Sequence, residues 1–353
     1  MVRQSGLGPG SDAVLKPAGR TGAVHDMFFP AGNSSRRTKE STAEMKLRIV
    51  VTEGLEELPL AWLKSEVEVI ESSWKNPQQL RRDLAHADGL IVRTYTQVNT
   101  ELLSAGSKLR VVGRAGVGLE NIDQEACKQS GVQVISTPGA NMHAVCEYVF
   151  NLIFHLGRRL VHVPGPISAD AFHSYRKTVR GLELHGKTMG ILGMGRIGRA
   201  VGRVAHAFGM RVIYNDLVDV AVHIDYPATS VPKPELYAGA DILTIHVSHF
   251  EGNRNLVGES ALQLMRRSAY LINTSRGEVV DAHALAAALR AGTIAGAALD
   301  VHEPEPPPAD YPLWGMANVI LAPHLAARTQ GAMDAMSWVA RDVVEYLRQL
   351  PTK

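Results

Sequence analysis

The apolar run Thr188-Met189-Gly190-Ile191-Leu192 leads directly into Gly193-Met194-Gly195-Arg196-Ile197-Gly198, and an amphipathic segment begins at once. Few short turns constrain a fold as tightly. The first glycine permits a sharp turn, the second lets a pyrophosphate approach the backbone, and the third lets helix and strand pack closely, so Gly193, Gly195 and Gly198 are candidate cofactor contacts. The segment 196–208 carries Ile197, Val201, Val204, Ala205 and Phe208 on one helical face. Its N-terminus offers unpaired N–H groups and the positive end of a dipole to a phosphate. Gly209 ends the helix, Arg211-Val212-Ile213-Tyr214 reads as the next strand, and Asp216 follows it. An acidic side chain there holds a ribose 2′-hydroxyl and repels the 2′-phosphate of NADP, which points to NAD.

The turn belongs to a longer pattern. Strands are expected at 47–52, 67–70, 88–93, 109–112 and 133–136, then at 188–192, 211–215, 241–246, 269–273, 294–299 and 318–322. Helical segments such as 77–86, 121–130 and 281–291 separate them. Strands alternating with helices predict parallel sheets covered on both faces, here in two series. Between the series, Val145, Tyr148, Val149, Leu152, Ile153 and Leu156 recur at helical spacing within 141–160, a helix suited to link two domains or to meet a second subunit. A last helix is expected over 328–349.

Length bears on this division, because 353 residues exceed what one compact core usually holds. A net charge of +2 gives no reason to expect nucleic acid or a membrane surface as partner. No apolar stretch reaches the roughly 18 residues of a membrane span. The only cysteines, Cys127 and Cys146, have no metal-ligand spacing, so no metal is expected and a reducing, cytoplasmic setting is. Residues 1–44, rich in Gly, Ser, Pro and Arg and without periodicity, read as a disordered extension ahead of the first strand.

In open α/β sheets ligands bind beyond the carboxyl ends of the strands. There the second series places Thr274-Ser275-Arg276-Gly277, then Asp300 with Glu303 and Glu305, then Pro323-His324. An arginine, a carboxylate pair and a histidine converge beside the nucleotide turn. A histidine gives and takes a proton near neutral pH, a carboxylate stabilises its imidazolium, and an arginine grips a substrate carboxylate with two parallel bonds. His246 and His249, which follow another strand, are rivals for the histidine's place.

From Met45 onward the chain resembles the D-isomer-specific 2-hydroxyacid dehydrogenase family. The resemblance rests on Val112-Gly113-Arg114-Ala115-Gly116-Val117-Gly118, Asn121-Ile122-Asp123, Pro138-Gly139-Ala140-Asn141, Val145-Cys146-Glu147, Gly186-Lys187-Thr188, the glycine turn, Asn273-Thr274-Ser275-Arg276-Gly277, Ala298-Leu299-Asp300-Val301 and Pro323-His324. It implies a Rossmann NAD-binding domain (146–324) inserted into a flavodoxin-like substrate domain (45–145), to which the last helix (325–353) returns. It implies Arg276, Glu305 and His324 as the catalytic set, with Glu305 at the family's offset from Asp300. Arg196, Ile197, Asp216, Thr274 and Asp300 are then NAD contacts, while Arg93 and the backbone of Val117-Gly118 meet the substrate. The helix from Asn141 is expected to link the domains in a homodimer.

Ile91-Val92-Arg93 and Gly113-Arg114-Ala115-Gly116 are similar to 3-phosphoglycerate dehydrogenases, so Arg93 and Arg114 suit a phosphorylated or doubly acidic substrate. No C-terminal regulatory domain of the kind many of those enzymes carry is expected after the last helix. Two segments depart from the family pattern: His246-Val247-Ser248-His249, and Ala326-Ala327-Arg328 after the histidine. The expected activity is NAD-dependent interconversion of a D-2-hydroxy acid and its 2-oxo acid. An NADPH-dependent hydroxypyruvate or glyoxylate reductase is the rival enzyme, and an NAD-sensing corepressor-like module is the rival from another class.

Overall fold

The computed structural model describes residues 46–351, and the expected N-terminal extension, 1–44, lies outside them. The first series runs β1 (Arg48–Val51), α1 (Glu57–Glu66), β2 (Glu68–Glu71), α2 (Pro77–Leu84), β3 (Gly89–Val92), α3 (Thr100–Ser104), β4 (Val111–Arg114), α4 (Gln124–Gln129) and β5 (Gln133–Ser136). After α5 (Met142–Gly157) and α6 (Ala169–Thr178) comes the second: β6 (Thr188–Leu192), α7 (Arg196–Ala207), β7 (Arg211–Asn215), β8 (Thr229–Ser230), α8 (Lys233–Gly239), β9 (Ile242–Ile245), α9 (Glu259–Leu264), β10 (Tyr270–Asn273), α10 (Ala282–Arg290), β11 (Gly296–Leu299) and β12 (Val319–Leu321). The chain ends on α11 (Gln330–Ser337) and α12 (Val339–Gln349).

All pairings within the two sheets are parallel. The first has the order β2-β1-β3-β4-β5, the flavodoxin-like arrangement. The second has the order β12-β11-β10-β9-β6-β7-β8, the Rossmann arrangement with one strand added. The expected doubly wound architecture is therefore the observed one. In the second sheet the order reverses between β6 and β9, so the crevice opens where the glycine turn leaves β6.

Strand period decides which core each residue joins. Along β1, Val50 packs with Leu80, Leu84 and Leu102 on one face, while Ile49 and Val51 pack with Leu63 and α12 residues Val339, Val343 and Val344 on the other. Along the second sheet, Leu243, Leu271 and Leu299 meet α8, α9 and α10, while Met189, Ile191 and Ile272 meet α5 and α7. Strands covered on both sides read as continuous apolar runs for this reason.

The helices differ more from expectation. The helix expected over 328–349 is two helices meeting at Trp338. Its halves pack on different surfaces: Ala332, Met333 and Met336 lie against Ala144 of α5, whereas α12 lies on the first sheet. Ser337 Oγ donates to the Met333 carbonyl and accepts from Glu56 N–H (2.8 and 3.1 Å), a side-chain intrusion into the ladder that accompanies the break. The helix expected at 121–130 starts at Gln124, because Asp123 caps it through Ala126 N–H and Ile122 makes a bridge to Val98. Helix α5 stops at Gly157, and its apolar stripe is buried against α7 and the second sheet. Helix α6 buries no residue, and Phe172 and Tyr175 on it are exposed.

Candidate active site

The cofactor side is built by β6, α7 and β7. Gly193 has φ +92°, and a Cβ there would run into the backbone of His246 and Val247. A Cβ on Gly198 would overlap the Gly193 carbonyl, whereas one on Gly195 meets nothing within 4 Å. Gly195 therefore faces open space, as a phosphate seat must. No side chain caps α7 at Gly195, so its first N–H groups are available to an anion. Arg196 is exposed and lies over Gly139, and Ile197 is half-buried against the core.

Asp216 accepts from Met194 N–H (2.6 Å) and from Val218 N–H (3.1 Å), which fixes its carboxylate at the edge of the glycine turn. Arg211 sits at the opposite end of β7, donating to Thr188 Oγ1 (2.8 Å), and Asn215 donates to the Val231 carbonyl. Neither offers a cation to a 2′-phosphate. The Thr274 hydroxyl is buried without a partner among the described residues, and so is available to a ligand. These features fit a dinucleotide of the NAD type.

The three expected catalytic side chains come from three strand ends. After β10, the wholly buried Asn273 accepts from Ser275 N–H and Oγ, and donates to the Arg276 carbonyl (3.0, 2.8 and 2.9 Å), shaping the turn that presents Arg276. After β11, Glu305 accepts from His302 N–H through Oε1 (2.9 Å) and meets His324 Nδ1 through Oε2 (3.0 Å). After β12, His324 takes φ +56°, a conformation rare outside glycine. Asp300 holds it there: the His324 N–H donates to the Asp300 carbonyl, and both Asp300 carboxylate oxygens accept from Leu325 and Ala326 N–H groups (2.7 and 2.8 Å). Asp300 thus scaffolds the histidine loop.

The electrostatics follow from this geometry. The hydrogen bond that His324 Nδ1 donates to Glu305 lifts the His324 pKa above the imidazole norm, outweighing burial. Burial alone would raise Glu305, but its bonds from His324 and His302 N–H bring it below the carboxylate norm. Burial raises Asp300, opposed by its two backbone donors. The two rival histidines stand in different surroundings. His246 is half-buried, bonded through Nε2 to Thr244 Oγ1 (2.9 Å), and burial pushes its pKa down to about 3. His249 contacts Glu278 (2.5 Å), whereas Arg276 and Asp300 both act on His324.

Arg276 reaches across to the loop after β4. Its Nε and Nη2 donate to Glu120 Oε1 (2.8 and 2.6 Å), and Nη1 donates to the Ser275 carbonyl (2.7 Å). Gly118 lies against this pair, so the structure brings it to Arg276, with half-buried Val117 beside it in the chain. Arg93 is differently placed. Its Nη1 donates to the Gly54 carbonyl (3.1 Å) and its Nη2 lies 3.0 Å from Met333 Sδ, on which Arg328 also closes. Burial lowers the Arg93 pKa, and the Arg328 charge adds to this. Two residues unremarked in the sequence shape the first-sheet side: Glu120, and Glu53, whose carboxylate gathers the N–H groups of Arg93, Thr94, Tyr95 and Thr96.

Known proteins of similar sequence and fold share this frame. The family model "D-isomer specific 2-hydroxyacid dehydrogenase, NAD binding domain" matches residues 150–326. The D-3-phosphoglycerate dehydrogenase of Archaeoglobus fulgidus is 32% identical over 310 residues, covering 87% of this chain and 58% of the relative, so the chain spans little more than half of that relative's length. The glyoxylate reductase of Aeropyrum pernix is 37% identical over 308 residues, covering 84% of this chain and 91% of the relative. A crystal structure of a Thermus thermophilus protein superposes with a TM-score of 0.73 at 31% identity, covering 86% of this chain and 96% of that one.

Proposed function

The chain belongs to the D-isomer specific 2-hydroxyacid dehydrogenase family, and we propose that it interconverts a D-2-hydroxy acid and its 2-oxo acid with NAD. The observation that carries this is the His324–Glu305 pair at 3.0 Å, in the electrostatic reach of Arg276 and on the same sheet as the glycine turn. Bound NAD supplies the hydride acceptor in one direction and, reduced, the hydride donor in the other. Arg276 holds the substrate carboxylate and polarises the adjoining carbonyl. With Nδ1 bonded to Glu305, the Nε2 of His324 gives its proton to the carbonyl oxygen as the alkoxide forms, and takes it back during oxidation. Glu305 stabilises the imidazolium between these events. The substrate domain of this reading comprises 45–145 with the returning helix, and the cofactor domain comprises 146–324.

A second anionic group on the substrate is favoured by Arg93 and Arg328, which converge on Met333 at the first-sheet edge, and by Arg114, whose Nε is buried without a partner among the described residues. We also place a second copy of the chain on the apolar surface of 160–179, where Leu160, Phe172, Tyr175 and Val179 are exposed. Among the described residues no helix is long and apolar enough to cross a membrane. Both cysteines are free and buried, which supports a reducing compartment such as the cytoplasm.

The test is turnover of a panel of 2-oxo acids with NADH and NADPH, the panel including glyoxylate, hydroxypyruvate and a phosphorylated three-carbon 2-oxo acid. Turnover is expected with at least one of them, faster with NADH because Asp216 faces the 2′-position. Loss of a charge-assisted ribose bond under NADPH predicts a preference of about tenfold or more. An NADPH preference would overturn the cofactor assignment, and no turnover by an NADH-binding protein would overturn the enzyme reading.

A further inference from the structure

We propose that Glu120 is a positioning residue for Arg276: it holds one edge of the guanidinium from across the cleft and thereby turns the other edge to the substrate carboxylate. The proposal rests on the reading of Arg276 as the carboxylate anchor.

The argument starts from donor counting. A guanidinium has five N–H groups in a rigid plane. The Nε hydrogen and one Nη2 hydrogen go to Glu120 Oε1 at 2.8 and 2.6 Å. One Nη1 hydrogen goes to the carbonyl of Ser275, the arginine's own chain neighbour, at 2.7 Å. The stem side and the Nε–Nη2 edge are thus occupied. What remains is one hydrogen on each terminal nitrogen, the Nη1–Nη2 edge, which is the geometry that takes a carboxylate with two parallel bonds. Because the guanidinium is planar, fixing one edge fixes the direction of the other.

The contact also joins the two halves of the site. Arg276 follows β10 of the second sheet, and Glu120 follows β4 of the first, 156 residues earlier. Its making therefore depends on how the sheets stand to one another, so the arginine is aimed only when the cleft is assembled. Gly118 gives an independent sign of the same design. A Cβ there would enter the space of both Glu120 Oε2 and Arg276 Nη2, so the absence of a side chain leaves room for the pair. Burial alone would raise the Glu120 carboxyl, but the Arg276 charge and its bonds bring it below the carboxylate norm, which keeps the holding group ionised.

The experiment measures KM for the best 2-oxo acid, and the affinity of the NADH-bound protein for oxamate by calorimetry, in wild type, Glu120→Gln and Gly118→Ala. Both variants are expected to raise KM and weaken oxamate binding about tenfold or more, with NADH affinity changed less than about twofold. Retained NADH binding reports that each variant is folded. In an Arg276→Gln background, Glu120→Gln is expected to add less than about twofold, since a residue acting through Arg276 has nothing left to position. A fall in KM in Glu120→Gln would overturn the proposal by showing that Glu120 competes with substrate for the arginine. Unchanged binding, or a full additional effect in the Arg276→Gln background, would overturn it too. A wild type that neither turns over a 2-oxo acid nor binds oxamate would remove the functional reading together with this one, whereas wild-type activity with an unaffected Glu120→Gln would remove this one alone.

Discussion

Replacing His324 with alanine is expected to lower kcat for 2-oxo acid reduction by about 10²- to 10⁴-fold, the usual worth of a positioned general acid. NADH affinity should stay nearly unchanged, because the proposed phosphate seat at Gly193, Gly195 and the uncapped α7 N-terminus, and the proposed ribose contact at Asp216, do not involve His324. Loss of both properties together would mean that His324 is a structural residue of the loop held by Asp300. The same histidine sets the pH dependence. Reduction needs the imidazolium, whose pKa is raised chiefly by the Glu305 hydrogen bond. The reduction rate should therefore hold across the ordinary imidazole range near ~6.5 and fall above it. Oxidation needs the neutral ring and should rise with pH over the same interval. Glu305→Gln removes the charge that favours the imidazolium, so the falling limb of reduction should move to lower pH. A limb that does not move would assign the titration to another group.

Arg276→Ala should produce the second large effect. Two charge-assisted bonds to a carboxylate contribute about 1.5–3 kcal/mol each, so kcat/KM for any 2-oxo acid should fall by about 10²- to 10⁴-fold. KM is expected to carry most of this loss, in contrast to His324→Ala, where kcat carries it. Lysine at this position should restore little, because an ammonium has no fork and cannot be held by one edge while presenting the other. A kcat/KM within about threefold of wild type would place the carboxylate elsewhere in the cleft, and Arg114 would be the next candidate.

Much of the fold was legible because parallel strands buried on both faces are written as short apolar runs. Strand β3, Gly89-Leu90-Ile91-Val92, is buried throughout and stands between helices on either side. The candidate site was legible in part for a related reason: segments after strand ends lie at the ligand edge. Chain order thus offered Arg276, Glu303, Glu305 and His324, with His246 and His249 as rivals, and only the family resemblance chose among them. Helix ends were less so. The break at Trp338 interrupts an apolar stripe that runs unbroken in sequence, and only the choice of two packing surfaces separates its halves. Helix α6 escaped notice because it buries nothing and has no inward stripe to detect.

Partners brought together by folding were the hardest to foresee. Glu120 and Arg276 are 156 positions apart, and neither carries a local sign of the other. Glu53 organises a loop some 40 residues away through backbone N–H groups, which leave no side-chain pattern. Asn273 works more locally, its side chain bonding Ser275 to shape the turn before Arg276. Asp300 has a structural task that chain order does not show: both its carboxylate oxygens accept from N–H groups of the histidine loop.

The central claim is that this cleft delivers a hydride to C2 of a 2-oxo acid while His324 protonates its oxygen. The most direct measurement uses NADH deuterated at both C4 positions, with the best substrate of the panel, and analyses the product by mass spectrometry and chiral chromatography. One deuterium bonded to C2 of a D-2-hydroxy acid is the predicted result. A product without deuterium at C2, or one of L configuration, would contradict it.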